Sequence, residues 1–428
     1  MKQYIKRNLE GFLIVVFLLG NQAVAQSQES VLKFGTEIRP RTEFRHGYNL
    51  PINSANEYAF FTSQRSRIFL GIEKSKVEVK LTGQDIRVWG SAPLQTLSDG
   101  HFSVYEAWAK YNFSPKLNIQ LGRQELSLND ERVFGAANWN QQGRVHDGLN
   151  LNFKDSLNSF RMFLAFNQAT EELNSIYYNV SGNYKTMQVL WYDRLFSFGN
   201  LSLLTSNIGW QSPLSKTATR NMQMFGNHFT IKPSEDAEIV QRFYYQSGRN
   251  ANNDALAAYF AALDFNYKLN KNYKLGIGAE YLSGNSGVSS NSKNQAFTPI
   301  FGTNHKFNGN IDYFYVKNHL NSVGLLDSYL SASYANKSHF GLVRLHYFNS
   351  AEEFYRIPII QEKAGKYLGT EIDLVYRYAV SNMMNLELGY SQIFISENMK
   401  VLKGGNEKLP QNWAYLMLSF NPSLLLKL

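Results

Sequence analysis

Glu37, Arg39, Arg41 and Glu43 recur at every second position near the start of the chain, and Arg65 and Arg67 repeat that spacing. In an extended strand, side chains two apart share a face. Each set therefore forms a charged stripe. A guanidinium stays charged at any relevant pH and takes a carboxylate in two parallel hydrogen bonds. Such a stripe could carry an anionic solute. It could equally pair with Glu37, Glu43, Asp85, Glu106, Glu371 and Asp373 and brace a wall, and both readings stay open. Arginines are dense from Arg39 to Arg144, with Arg45, Arg87, Arg123 and Arg132 between, and Arg242, Arg344, His346 and Arg377 follow. The candidate solute path is Arg39, Arg41, Arg65, Arg67, Arg87, Glu106, Arg123, Arg132, Arg144, Arg344 and Arg377.

Other chemistry finds little support. The eight histidines (46, 101, 146, 228, 305, 319, 339 and 346) fall singly or in loops, outside any nucleophile motif. His101 and His146 could approach across neighbouring strands, but such a pair is more often polar lining. No HExxH or Cys/His cluster suggests a metal, and no Gly-rich phosphate loop follows a strand. The chain has no cysteine, which excludes disulfides and thiol chemistry. No catalytic residue, metal or cofactor is expected, and an outer-membrane enzyme is the weaker rival class. The net charge of +9 could signal nucleic acid, an anionic surface or an anionic solute. Export, argued next, speaks against nucleic acid, and no Lys/Arg block opposes that.

The elements that must position these residues begin with an export signal. Lys2, Lys6 and Arg7 give a positive start, Phe12 to Leu19 is an apolar run, and Ala23-Val24-Ala25 is a small-x-small cleavage site. Residues 1–25 would be removed after Ala25, leaving 26–428 as a single domain. No other stretch reaches the roughly 18 apolar residues of a membrane helix. Yet 26 Tyr, 30 Phe and 6 Trp accompany only 18% charged residues.

Period-two alternation runs through segments of about ten residues, the signature of a membrane β-barrel. Val77, Val79 and Leu81 alternate with Glu78, Lys80 and Thr82. Leu275, Ile277, Ala279 and Tyr281 alternate with Lys274, Gly276, Gly278 and Glu280. Short turns are expected near 73–76, 113–116, 154–158, 194–199, 232–236, 269–272, 336–338 and 380–384. Long loops are expected near 47–57, 89–101, 127–144, 169–182, 211–221, 248–255, 284–324, 350–364 and 397–410. This arrangement predicts an all-β transmembrane antiparallel barrel of about eighteen strands in the outer membrane of a Gram-negative bacterium. The first strand is expected at 31–46 and the last at 411–420, paired with each other, because hydrocarbon leaves no backbone group unpartnered. Phe44, Tyr111, Phe113, Tyr267 and Tyr390 suit interfacial girdles.

An arginine on the lipid face at mid-membrane costs roughly 2–4 kcal/mol, which argues for placing these strand arginines in the lumen. Leu117, Ile119 and Leu121 would face outward at odd positions, and Leu126 and Leu128 at even ones. A bulge at Gly122 would switch the phase and turn Arg123 and Glu125 inward. Loop 127–144 could fold into the lumen as a constriction or cap the outside. Loop 284–324 is a lid or sugar-stacking surface, or a self-packed exterior loop, and the latter is more common.

The segment 101–153 resembles the alginate export family. The resemblance rests on Glu106-Ala107-Trp108, Gly122-Arg123-Gln124, Asp130, Arg132, Trp139, Arg144 and Asp147-Gly148. The earlier Gln84-Asp85-Ile86-Arg87 and the later Phe297-Thr298-Pro299-Ile300-Phe301-Gly302 add to it. His146 and Glu125 depart from the pattern. The resemblance implies an eighteen-stranded, typically monomeric barrel with an arginine-rich pore, in which Arg123 and Arg144 match motif positions. The expected function is an outer-membrane pore passing an anionic solute such as a polyuronate. A general or substrate-specific uptake porin for small anions, sugars or peptides is the alternative. Expected partners are outer-membrane lipid, the anionic polysaccharide or small anion, and periplasmic export proteins.

Overall fold

The computed structural model describes residues 30–95, 100–289, 292–319 and 322–427. The expected signal peptide and its cleavage site lie outside the described residues. The strands run β1 (Ser30–His46), β2 (Ala59–Lys74), β3 (Val77–Val88), β4 (Phe102–Asn112), β5 (Leu117–Gln124), β6 (His146–Lys154) and β7 (Asn158–Phe166). They continue as β8 (Thr186–Phe196), β9 (Gly199–Gln211), β10 (Thr219–Ile231), β11 (Ala237–Arg249), β12 (Ala255–Lys268), β13 (Tyr273–Leu282), β14 (Leu325–Ala335) and β15 (His339–Asn349). A small outer hairpin, β16 (Tyr355–Ile357) and β17 (Glu362–Lys363), stands apart from the main sheet. The wall then closes through β18 (Tyr367–Ser381), β19 (Met384–Ile395), β20 (Gln411–Phe420) and β21 (Ser423–Lys427).

Consecutive wall strands pair antiparallel, and β1 pairs β2 on one side and both β20 and β21 on the other. β20 and β21 are one strand in two pieces, so the described residues form a closed eighteen-stranded antiparallel barrel. The last strand was expected to stop at residue 420. Pro422 has no N–H to give the ladder, yet its carbonyl accepts from Thr36 N at 3.1 Å, and pairing with β1 resumes from Ser423. The observed short turns fall at 75–76, 113–116, 155–157, 197–198, 232–236, 269–272, 336–338 and 382–383, each at its expected place.

One face of each strand meets lipid. Along β13, Leu275 and Ile277 are exposed outward while Glu280 is buried inward. Along β20, Leu416 and Phe420 face out while Trp413, Tyr415 and Met417 are buried. The apolar core sits inside the barrel. Leu126, Phe134, Phe163, Phe260, Phe297 and Phe348 belong to it, and two of its contributors are loops, 125–145 and 283–324. Leu126 and Leu128, expected to face lipid, are buried in this core instead. The chain leaves the β5 ladder after Gln124 and turns into the lumen, where the same apolar residues find protein in place of lipid.

Replacing Ile277 by Arg on the lipid face should destabilise folding into bilayers by roughly 2–4 kcal/mol. The shift would be read from the urea midpoint of refolding into phospholipid vesicles. An unchanged midpoint would mean that this face of β13 does not meet hydrocarbon.

Candidate functional site

The two inward loops meet each other across the lumen. Phe134 stacks on Phe301 at 5.7 Å, Gly135 N donates to Phe301 O at 2.8 Å, and Thr303 N donates to Glu131 O at 2.9 Å. Trp139 stacks on His305 at 4.4 Å. Arg144 ties the loops by donating to the carbonyls of Gly135 and Gly302 at 3.2 and 3.0 Å. The pair forms a plug.

The wall holds each loop with charge of one sign. On β1 and β2, arginines take the carbonyls of loop 125–145. Arg39 donates to Asn138 O at 2.8 Å and to Gln141 Oε1 at 3.0 Å, and Arg41 donates to Trp139 O at 2.8 Å. Arg65 reaches the carbonyls of Asn138, Asn140 and Gln141, each at 3.4 Å. Arg67 lies on the Tyr105 ring at 3.5 Å and reaches Gln142 O. Their acidic partners are close: Glu37 accepts from Arg65 at 2.5 Å and Glu43 from Arg41 at 2.9 Å.

Around the rest of the wall, on β13, β14 and β18, the polarity reverses. Glu371 accepts from Ile311 N at 2.8 Å, and Asp373 from Asn310 N at 3.3 Å. Asn308 donates to Glu280 and Asp327, each at 3.1 Å. Arg132 of the other loop inserts here, fully buried, 2.9 Å from Glu280 and over the Phe260 and Phe307 rings. Arg242 meets Asp130, Glu280 and Asp264, and His346 bridges Asp327 and Asp373. A buried charge needs such partners, because desolvation alone is costly.

Below the plug lies a cavity of about 790 Å3. Arg39, Arg242, Arg344 and Arg377 line it with Asp264 and Asp373. Arg377 is paired with Glu387. Arg344 differs. Among the described residues it makes no hydrogen bond or ion pair, its Nε is buried without a partner, and its nearest ring is Tyr329 at 5.5 Å. Glu106 faces inward and accepts from Lys80 at 2.5 Å and from Trp108 at 3.1 Å.

Two expected lumen residues lie elsewhere. Arg123 pairs in register with Ala107 and Asp147, in the outward row of Leu121 and Leu149, and lies 3.6 Å from Asp147. No residue is inserted at Gly122. The glycine absorbs the kink with φ of +121° while the register runs on, so the expected phase switch does not occur. Glu125, expected to turn inward with Arg123, has left the ladder and accepts from Tyr105 Oη at 2.6 Å. The bulge sits instead between Thr82 and Gly83, opposite Tyr105. Arg87 pairs with Gln64 on the outer face and donates to Asp85 at 2.7 Å. Both arginines lie toward the long-loop ends of their strands, where an outward arginine costs only about 0–1 kcal/mol. The acids Asp264, Glu280 and Asp327 were not singled out. Period-two alternation with Tyr281 already sets Glu280 on the inner face, and the same counting from Leu263 and Leu326 finds the other two.

At the outer rim, a helix, α1 (Glu397–Lys403), lies over loop 283–324. Lys403 Nζ donates to Asn318 O at 2.8 Å. His319 Nε2 lies 3.2 Å from Gly324 O and its ring meets Phe314 edge-on. Burial foremost, then the neighbouring Lys403 charge, pushes the His319 pKa down to about 3. A lowered folded-state pKa contributes stability that is full above the unfolded value of about 6.5 and lost as pH falls toward 3. Amide exchange around 314–319 should therefore speed up as pH falls from 7 to 4, after correction for intrinsic rates, and His319→Phe should flatten the effect. A pH-independent opening free energy would refute it.

A closed barrel with an apolar outer belt, short turns at one end and loops folded into a polar lumen is an outer-membrane channel. The chain belongs to the alginate export family, whose model matches residues 30–404. Its fold is shared by OccAB4 of Acinetobacter baumannii, at 13% identity and a TM-score of 0.62, covering 94% of this chain and 100% of that one. OccK11 (OpdR) of Pseudomonas aeruginosa matches at 11% identity and a TM-score of 0.59, covering 92% and 96%. OpdK of Pseudomonas aeruginosa, crystallised with vanillate, matches at 12% and 0.58, covering 91% and 99%. A comparison with curated proteins finds no match. The protein resides in the outer membrane as a pore.

Proposed function

We propose that this pore passes an anionic solute of the uronate saccharide class, guided by basic residues of the lumen. The observation that carries this reading is Arg344, an unpaired guanidinium in the wall of the 790 Å3 cavity. Most other lumen arginines already hold acids or loop carbonyls, which leaves them as braces of the plug. An arginine free to exchange partners can bind a carboxylate and release it, as conduction requires. Lys274 and Arg377 line the same cavity, paired with Glu238 and Glu387 at half-exposed positions where an incoming carboxylate would compete for them. Direction of transport would come from periplasmic partners, since a passive wall does not encode it.

A second reading is a substrate-specific uptake channel for small anions. The interlocked loops favour it, because they divide the lumen into compartments of the size that holds a small ligand. The likeness to OpdK, crystallised with vanillate, a small carboxylate, supports the same reading.

Single-channel reversal potentials of the refolded protein under a salt gradient test both. Anion preference with block by oligouronates is expected, and Arg344→Gln should lower the anion-over-cation permeability ratio by about twofold or more, given the Coulomb energy of one charge at contact. Arg123→Gln should leave selectivity unchanged, because its side chain is outside the lumen. Preserved selectivity in Arg344→Gln would remove the basis of the proposal. Block by small carboxylates with no response to oligouronates would favour the uptake channel.

A further inference from the structure

A smaller cavity, of about 410 Å3, lies on the wall built by β4 to β8. Its lining sets four amides, Asn118, Gln120, Asn150 and Asn152, among charged and aromatic side chains. Asn118, Asn152, Arg161 and Trp191 are successive cross-strand partners, and Gln120 pairs with Asn150 in the next inward row. Strands lie about 4.8 Å apart, so these groups stand in a ladder along one wall. Asn152 Nδ2 donates to Asn118 Oδ1 at 3.1 Å, and Arg161 Nε donates to Asn152 Oδ1 at 2.9 Å. Trp191 is fixed by a hydrogen bond from Nε1 to Asn129 Oδ1 at 3.0 Å, and its ring lines the cavity.

Two groups in the ladder are unfilled. The Gln120 side chain makes no hydrogen bond within the described residues, and Asn150 Oδ1 is buried with no donor. A buried acceptor without a partner is costly and marks a place where something is missing. Of the charged groups that line the cavity, Arg161 is held by Asn152 Oδ1 and Ser127 O, Lys154 stands at the edge, and the other two have partners. Lys110 is paired with Glu78, and Glu125 accepts from Tyr105 Oη and Asn138 Nδ2. The missing group must therefore donate a hydrogen bond to Asn150 and accept or donate one at Gln120. A carboxylate only accepts, whereas a hydroxyl does both.

We propose that this cavity is a saccharide subsite that reads ring hydroxyls through Gln120 and Asn150, with Trp191 as the apolar face for the sugar ring. The subsite rests on the reading of the chain as a solute-conducting pore. It adds to that reading a second contact, one that recognises hydroxyls through neutral amides. A sugar acid would then be held twice, by its carboxylate in the charged compartment and by its hydroxyls here.

The test uses the full mature protein in a planar bilayer, with cellotetraose as a neutral probe and tetragalacturonate as a charged one. Cellotetraose should block the wild-type channel. The double substitution Gln120→Leu with Asn150→Leu should weaken that block by about tenfold, leaving the reversal potential in salt unchanged. Tetragalacturonate block should weaken in the same variant. If the pair fails to refold, Gln120→Leu alone carries the test, since that side chain has no partner to lose. A wild-type channel that ignores cellotetraose, or a variant blocked as well as wild type, overturns the subsite while leaving anion preference intact. Loss of anion preference with cellotetraose block retained would instead overturn the anionic-solute reading and leave the subsite standing.

Discussion

A bilayer interior offers no hydrogen-bond partner, so every backbone N–H and C=O of a spanning chain must be paired by the chain itself. That constraint organises the rest of this molecule. It forces β1 onto the last strand, and it tolerates Pro422 because that residue's own carbonyl still accepts from Thr36 N. It also fixes alternation, since a closed wall has only an oily side and an inner side. Polar residues are driven inward by the cost of the alternative, and an inner face crowded with charge then needs partners of its own.

The two long loops meet that need. Loop 125–145 presents carbonyls to arginines on β1 and β2, while loop 283–324 presents N–H and amide groups to acids on β13, β14 and β18. The backbone of an irregular segment carries unpaired groups of both kinds, and each wall stripe takes one kind. This pairing lets loops enter the barrel without leaving polar groups stranded. It also explains why most lumen arginines are structurally committed and why Arg344 stands out among them.

The turns and strands were legible because period-two alternation and turn residues are local signals, and all eight short turns fell in place. The destinations of the loops were not. Leu126 and Leu128 look the same whether they meet lipid or a plug, because the hydrophobic effect does not record which apolar partner is used. The inward expectation for Arg87 rests on an energy that holds only at mid-membrane, and that for Arg123 on a bulge at Gly122 that the register does not contain. Plain alternation from Val79 and Leu81, or from Ile119 and Leu121, puts both on the outer face, where Asp85 and Asp147 accompany them. Arg39, Arg41, Arg65 and Arg67 face inward as expected, but their engagement with loop carbonyls depends on tertiary contacts that spacing does not encode.

The opposed stripes have a consequence for anything that traverses the barrel. Guanidinium groups on β1 and β2 stand across the lumen from carboxylates on β12, β13 and β14, so the field between them has a component perpendicular to the barrel axis. Water and solute dipoles in that gap feel a torque, and a molecule with separated polar and charged ends is turned before it can advance. Transit then depends on the moment a solute carries about its own long axis, and two isomers of identical size and net charge would cross at different rates.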